Sequence, residues 1–204
     1  MSIRFVPTLV PPHHQPSMPF VHGHLHIGLA WADDPGCTPI CPADMRHLTR
    51  PFVDTCHRAV WSMRGRTTSE DLEPVDTCPG LWAVRSRDGL AASRMICIQD
   101  LIRPWPLEGV VVTCPDPDQL LIVPLEGLGA LSAVQGLLRA ARLACTDPTA
   151  PLSDQLFWCD DQGRWRHVPV SHYGGRVDLG EQPAFFAALE RLTAVELVLV
   201  AAEA

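Results

Sequence analysis

Gly109-Val-Val-Val-Thr-Cys-Pro-Asp-Pro-Asp-Gln-Leu-Leu-Ile-Val123 decides the fold. Its two halves are β-branched and aliphatic, and Pro115-Asp-Pro-Asp118 between them carries residues that preset a turn or bond its backbone, so the stretch predicts a hairpin. Downstream, Leu128 to Cys145 sets Leu131, Val134, Leu137, Leu138, Ala141 and Ala144 at helical spacing, the apolar stripe of a helix lying on a sheet. Leu156-Phe-Trp-Cys159, the polar turn Asp160-Asp-Gln-Gly163 and Arg164-Trp-Arg-His-Val168 predict a second hairpin with Trp158 and Trp165 on its arms. Two hairpins around a helix imply an α+β domain: a mixed or antiparallel sheet with helices packed mainly on one face.

The flanks extend this pattern. Ala184 to Leu192 predicts a helix after Pro183, and the aliphatic run Val195 to Val200 a buried strand. Upstream, Leu81 to Val84 and Leu90 to Ile98 read as strands around Arg85-Ser-Arg-Asp-Gly89, followed by a short helical turn at Asp100 to Trp105. A helix starts at Pro42-Ala-Asp44, and Phe52, Cys56, Val60 and Met63 continue its apolar stripe past Pro51, which predicts a kink or two short helices. Val21 to Trp31 alternates like a strand, closed by the turn Asp33-Asp-Pro-Gly36. Residues 7 to 19 hold five prolines and His13-His14, so residues 1–20 are expected as an extended proline-rich arm crossing the surface. Residues 65–79 form a polar connection, the one boundary between lobes that the pattern offers within a single domain of 1–204.

A strand ending in proline and acidic residues, a returning apolar strand, a helix, then Leu152-Ser153 before an aromatic strand and Gly163-Arg164-Trp165 resembles the YtpQ-like family of uncharacterised bacterial proteins. Leu29-Ala-Trp31 and Pro79-Gly80-Leu-Trp82 fit the same order, while Asp116-Pro117-Asp118 departs from the Asn-Arg-Asp that the family tends to carry. The resemblance implies a bacterial protein and a fold. It supplies no site residue, because the family's function is unknown.

Composition narrows the chemistry. The chain of 204 residues is 47% apolar, ordinary for a globular domain with one well-filled core. All sixteen basic residues are arginines, and Lys and Asn are missing, which excludes a Schiff-base lysine, a phosphate-loop lysine and an Asn-linked glycan. A net charge of −7 with scattered arginines argues against nucleic acid as a partner. Arg58, Arg64 and Arg66, the densest group, read as a solvated helix end. No stretch is apolar for the length of a membrane span. Eight cysteines in largely apolar settings, after an amino-terminal segment without a secretory pattern, lead us to expect reduced thiols and a cytoplasmic location.

The one constellation with metal chemistry is His22-Gly-His-Leu-His26. On a strand the three imidazoles share a face, neighbouring pairs are close enough for one ion, and Gly23 permits the bend that a third ligand needs. Further ligands are available from His13, His14, Asp33, Asp34, Cys37 and Cys41. The alternative is that these histidines form the polar face of an edge strand. Cys56-His57 and Ser171-His172 are sequence neighbours that point apart, Ser153 suits a turn or cap, and Asp33-Asp34 and Asp160-Asp161 suit solvated turns. No nucleotide fingerprint, nucleophile elbow or zinc-protease helix occurs. We therefore expect a non-catalytic interaction protein with no catalytic or cofactor-binding residues and a protein partner, whose first candidate contact surface is Trp158 and Trp165. Both rings packing on the helix at 128–145 is the other arrangement open to them. The competing class is a metal-dependent hydrolase or oxidase holding zinc or another divalent metal on His22, His24 and His26.

Overall fold

The computed structural model describes residues 5–32, 38–84, 88–144, 152–173 and 176–203. Asp33, Asp34, Gly36, Cys37, Arg85 to Arg87, Cys145 and Gly174-Gly175, which bear on several of the turns and ligands named above, lie outside the described residues. The fold is α+β with antiparallel sheets.

The stretch Gly109–Val123 forms the predicted hairpin. Strands Val110–Thr113 (β6) and Leu120–Pro124 (β7) pair with Val112 opposite Ile122, and Leu156–Cys159 (β8) lies on the other side of β6 with Phe157 opposite Val112. Trp165–Val168 (β9) returns along β8, while Trp82–Val84 (β5) and Leu72–Pro74 (β4) extend the other edge, giving the order β4-β5-β7-β6-β8-β9. Every residue of β6 is buried, as expected of a central strand covered on both faces.

The two faces have different covers. Val111, Val123, Leu156 and Trp158 face helices Gly129–Ala144 (α3) and Pro183–Glu203 (α4), which contribute Ala133, Leu137, Phe185 and Ala188. Val110, Val112, Ile122 and Phe157 face a second, three-stranded sheet of Phe5–Val10 (β1), Met18–Val21 (β2) and Leu25–Trp31 (β3), together with a 3-10 helix at Ala92–Cys97 and the short helix Ile98–Leu101 (α2). Helix Phe52–Arg64 (α1) buries Cys56 and Ala59 against Leu29 and Ile40, outside the small sheet. A further hairpin, Val170–Tyr173 (β10) with Arg176–Leu179 (β11), precedes α4.

Four expectations need correction. The proline-rich arm is in part a strand: β1 pairs with β3 along its whole length, and Pro7 is tolerated because β1 is an edge strand, where a missing ladder donor costs little. The irregular connection is confined to residues 11–17. Leu90 to Ile98 is not a strand but the 3-10 helix and the start of α2; Ala91, Ala92, Arg94 and Met95 favour helix, and the Asp88 carboxylate accepts the Leu90 N–H at 3.2 Å. Burial of nearly every residue from Leu90 to Ile98 hides any helical period. Val195 to Val200 continues α4, a short apolar run that periodicity alone cannot assign. Finally, Val21 to Trp31 is two strands with a turn between Val21 and Leu25, made possible by the left-handed φ of +74° at Gly23.

The break at Pro51 is observed: a 3-10 helix at Pro42–His47 precedes α1. Within 65–79, β4 joins the large sheet, and one hydrophobic cluster holds Leu9 and Ile27 beside Val112 and Phe157. No described helix is long and apolar enough to cross a membrane.

Candidate functional site

The turn at Gly23 separates the three histidines that alternation would have aligned. His22 is exposed in the turn. His24 stacks on His167 of β9 with centroids 3.6 Å apart and ring planes 25° apart, with the Phe157 ring beside both. His26 lies on β3, its Nδ1 2.9 Å from Ser17 Oγ. Because the Ser17 hydroxyl donates its only proton to His14 O at 2.6 Å, the proton in that contact belongs to His26 Nδ1. His14 in turn bonds Ile40 O through Nε2 at 3.0 Å. These are hydrogen bonds that fasten the 11–17 connection to the small sheet.

Hydrogen bonding also fixes the state of His167. Gln155 Oε1 accepts the Val170 N–H at 3.1 Å, so the same oxygen 2.9 Å from His167 Nε2 must accept there too, and Nε2 carries the proton. Burial, then the neighbouring His24, lowers the His167 pKa to about 4, against a small opposing pull from Asp154. His24 is lowered by burial and by His22. Two neutral imidazoles stacked face to face carry their lone pairs in parallel planes, which do not converge on one ion. Among the described residues no group of three or more His, Cys, Asp or Glu is placed to hold a metal. Gly23 thus leaves His22 and His24 in the turn and His26 on β3, so the three do not share the face of one strand.

The two tryptophans of the second hairpin occupy opposite faces, because Trp158 pairs with Arg166 and Trp165 with Cys159, a one-residue offset in a period of two. Trp158 is buried, packs on Phe185 at 5.6 Å and donates Nε1–H to Glu108 O at 2.9 Å. Trp165 is half-buried on the other face against Phe20. They form neither a common contact surface nor a pair under α3. Asp160 holds the turn between them: burial pushes its pKa up, but the Arg164 and Gln162 N–H groups and the Arg164 side chain outweigh that and leave it lowered.

Cys41, Cys56, Cys78, Cys97, Cys114 and Cys159 are free thiols. Burial pushes the thiols of Cys56, Cys97 and Cys159 up to about 12, so none of the three is a nucleophile at neutral pH. Cys97 and Cys159 line a cavity of about 140 Å³ with Ile96, Trp165, Arg64 and Asp100.

The exposed face of α1 is a different kind of surface. Phe52, Cys56, Ala59 and Met63 turn inward, which leaves Val53, His57, Trp61 and Arg64 as an outward stripe at i, i+4, i+8 and i+11. Trp61 is 74% exposed and Val53 47%. The Arg64 guanidinium sits 5.7 Å from the Trp61 ring centroid and bonds Asp100 at 2.8 Å, and Arg103 bonds the same carboxylate at 2.9 Å. Those contacts, Arg64 first, hold the Asp100 carboxyl below its ordinary range. Arg50, just before α1, and Arg58 within it are both exposed, with Asp54 four residues from each in sequence. Arg58, Arg64 and Arg66 are exposed, as expected of a solvated helix end, and Trp61 lies one position outside the apolar stripe through Val60. The signal was present in the spacing of Val53, His57 and Trp61. Comparison of the chain with family models, curated proteins and solved structures finds no match.

Proposed function

We propose that this chain is a non-catalytic interaction protein whose contact surface is the outer face of α1. Trp61 carries this reading. A ring that would contribute about 1.5–3 kcal/mol if buried is instead held out in solvent, on a helix whose other face is fully used in packing. Aromatic and arginine side chains are the ones that concentrate binding energy at protein interfaces, and here Trp61, Arg58 and Arg64 share a face. Two of the groups weighed from sequence are spoken for in the fold: burial holds the Cys56 thiol protonated, and the Asp160 carboxylate is bonded by the Arg164 side chain and by backbone N–H groups.

Display selection of peptide segments on the purified chain tests the reading. Ligands should be recovered whose binding weakens about tenfold or more in Trp61→Ala, with the melting temperature unchanged. Ligands that all bind the variant as well as the parent would contradict it.

A further inference from the structure

We infer that the partner docks through an acidic segment carrying an aliphatic or aromatic side chain, an inference that rests on α1 being the contact surface. The charge of this chain is divided unevenly. Residues 44–66 hold five arginines and two aspartates, whereas the other eleven arginines share the chain with twenty-one acidic residues. Within a protein of net charge −7, the segment that carries the exposed Trp61 is thus locally cationic, and all five of its arginines are exposed. Among the described residues Arg50 and Arg58 have no ion-pair partner, and Asp54 offsets only one of them.

The chemistry of the arginines points to carboxylates. A guanidinium takes a carboxylate through two parallel N–H groups, and Arg64 already does so, with Nε at 2.8 Å and Nη2 at 3.4 Å from the two oxygens of Asp100. Along the same stripe Val53 and Trp61 stand on either side of His57, so a matching segment needs a hydrophobic residue for the Trp61 ring with acids beside it. A long polyanion fits less well. It would track a continuous row of cations, but here Asp54 interrupts the row, and the rest of the chain repels a polyanion at long range.

Three synthetic amphipathic peptides with the same apolar stripe, flanked by Glu, by Gln or by Lys, are titrated into the full chain and into Trp61→Ala and the double variant Arg50→Glu/Arg58→Glu. We expect the Glu peptide to bind, the Gln peptide to bind about tenfold more weakly and the Lys peptide not at all, with the Glu affinity falling as salt rises. In the double variant the preference should reverse to the Lys peptide; unchanged melting temperatures exclude misfolding as the cause. Equal binding of the Glu and Gln peptides, both lost in Trp61→Ala, would overturn the acidic partner and leave the α1 surface standing. Glu binding untouched by Trp61→Ala would overturn the surface as well. A single-stranded oligonucleotide that outcompetes the Glu peptide through the same arginines, or self-association abolished by the double variant, would overturn the inference in favour of nucleic acid or of a second copy of the chain.

Discussion

Trp158 and Trp61 are the same residue in opposite circumstances. Trp158 lies under α4 with its N–H satisfied by Glu108 O, its ring against Phe185, and the Glu108 carboxylate locked by both donors of Arg191. Trp61 stands in solvent with a guanidinium over its ring. The first is placed where the fold gains from it, the second where the fold gains almost nothing. Leu143 and Leu107 are exposed as well, but Trp61 alone of these is an aromatic ring with a guanidinium over it, and that combination is the reason for seeking function on α1.

The contrast can be broken by mutation. The largest effect belongs to Trp158→Ala, which leaves a ring-sized void and an unsatisfied Glu108 carbonyl; we expect ~3–5 kcal/mol lost in denaturant unfolding. Gly109→Ala should come next. Gly109 holds φ at +77°, and an added Cβ would lie 2.0 Å from Cys159 O, so β6 and β8 must separate at a cost of about 3 kcal/mol. Arg191→Ala strands a buried Glu108 carboxylate, and we expect about 2 kcal/mol, since Arg191 itself is half-exposed and part of the attraction is screened by solvent. Arg191→Lys should recover only part of that loss, because it cannot reproduce the two-donor contact.

A smaller effect is expected from pH. His167 has a folded pKa of about 4 against an unfolded value near 6.5, so the unfolded chain binds a proton first. Stability is therefore full above about 6.5, falls as pH drops from there toward 4, and levels off below, with a loss of ~1–2 kcal/mol at this partly solvated site. Chemical denaturation at a series of pH values should show this slope in the parent and a flatter one in His167→Gln. Loss of the Asp100 and Asp160 contacts belongs to a lower window, below the ordinary carboxylate range, since both are already lowered in the folded chain. Smallest of all should be Trp61→Ala, within about 0.5 kcal/mol of the parent in the same assay.

The sheet around β6 was readable because its signals were local: a turn of fixed chemistry between β-branched runs, then a helix with one apolar stripe. The amino-terminal sheet was not, since prolines argue against strands unless one knows that β1 lies at an edge. His22, His24 and His26 illustrate the same limit. Alternation gave them a common face, but one left-handed glycine turned the chain, and the partners that define them, His167 and Ser17, are far away or across a turn. Trp165 and Trp158 needed the register of β8 and β9 to be told apart. Trp61 was within reach, since the wheel of α1 shows it outside the packed stripe. What sequence could not supply was the burial of the inner face, which is what makes the outer one conspicuous.

The most direct test measures Trp61→Ala twice on the same sample, once by thermal unfolding and once by titration with the Glu-flanked amphipathic peptide. The account predicts an unchanged melting temperature together with about tenfold or greater loss of affinity. A variant that melts well below the parent, or that binds the peptide equally well, would contradict it.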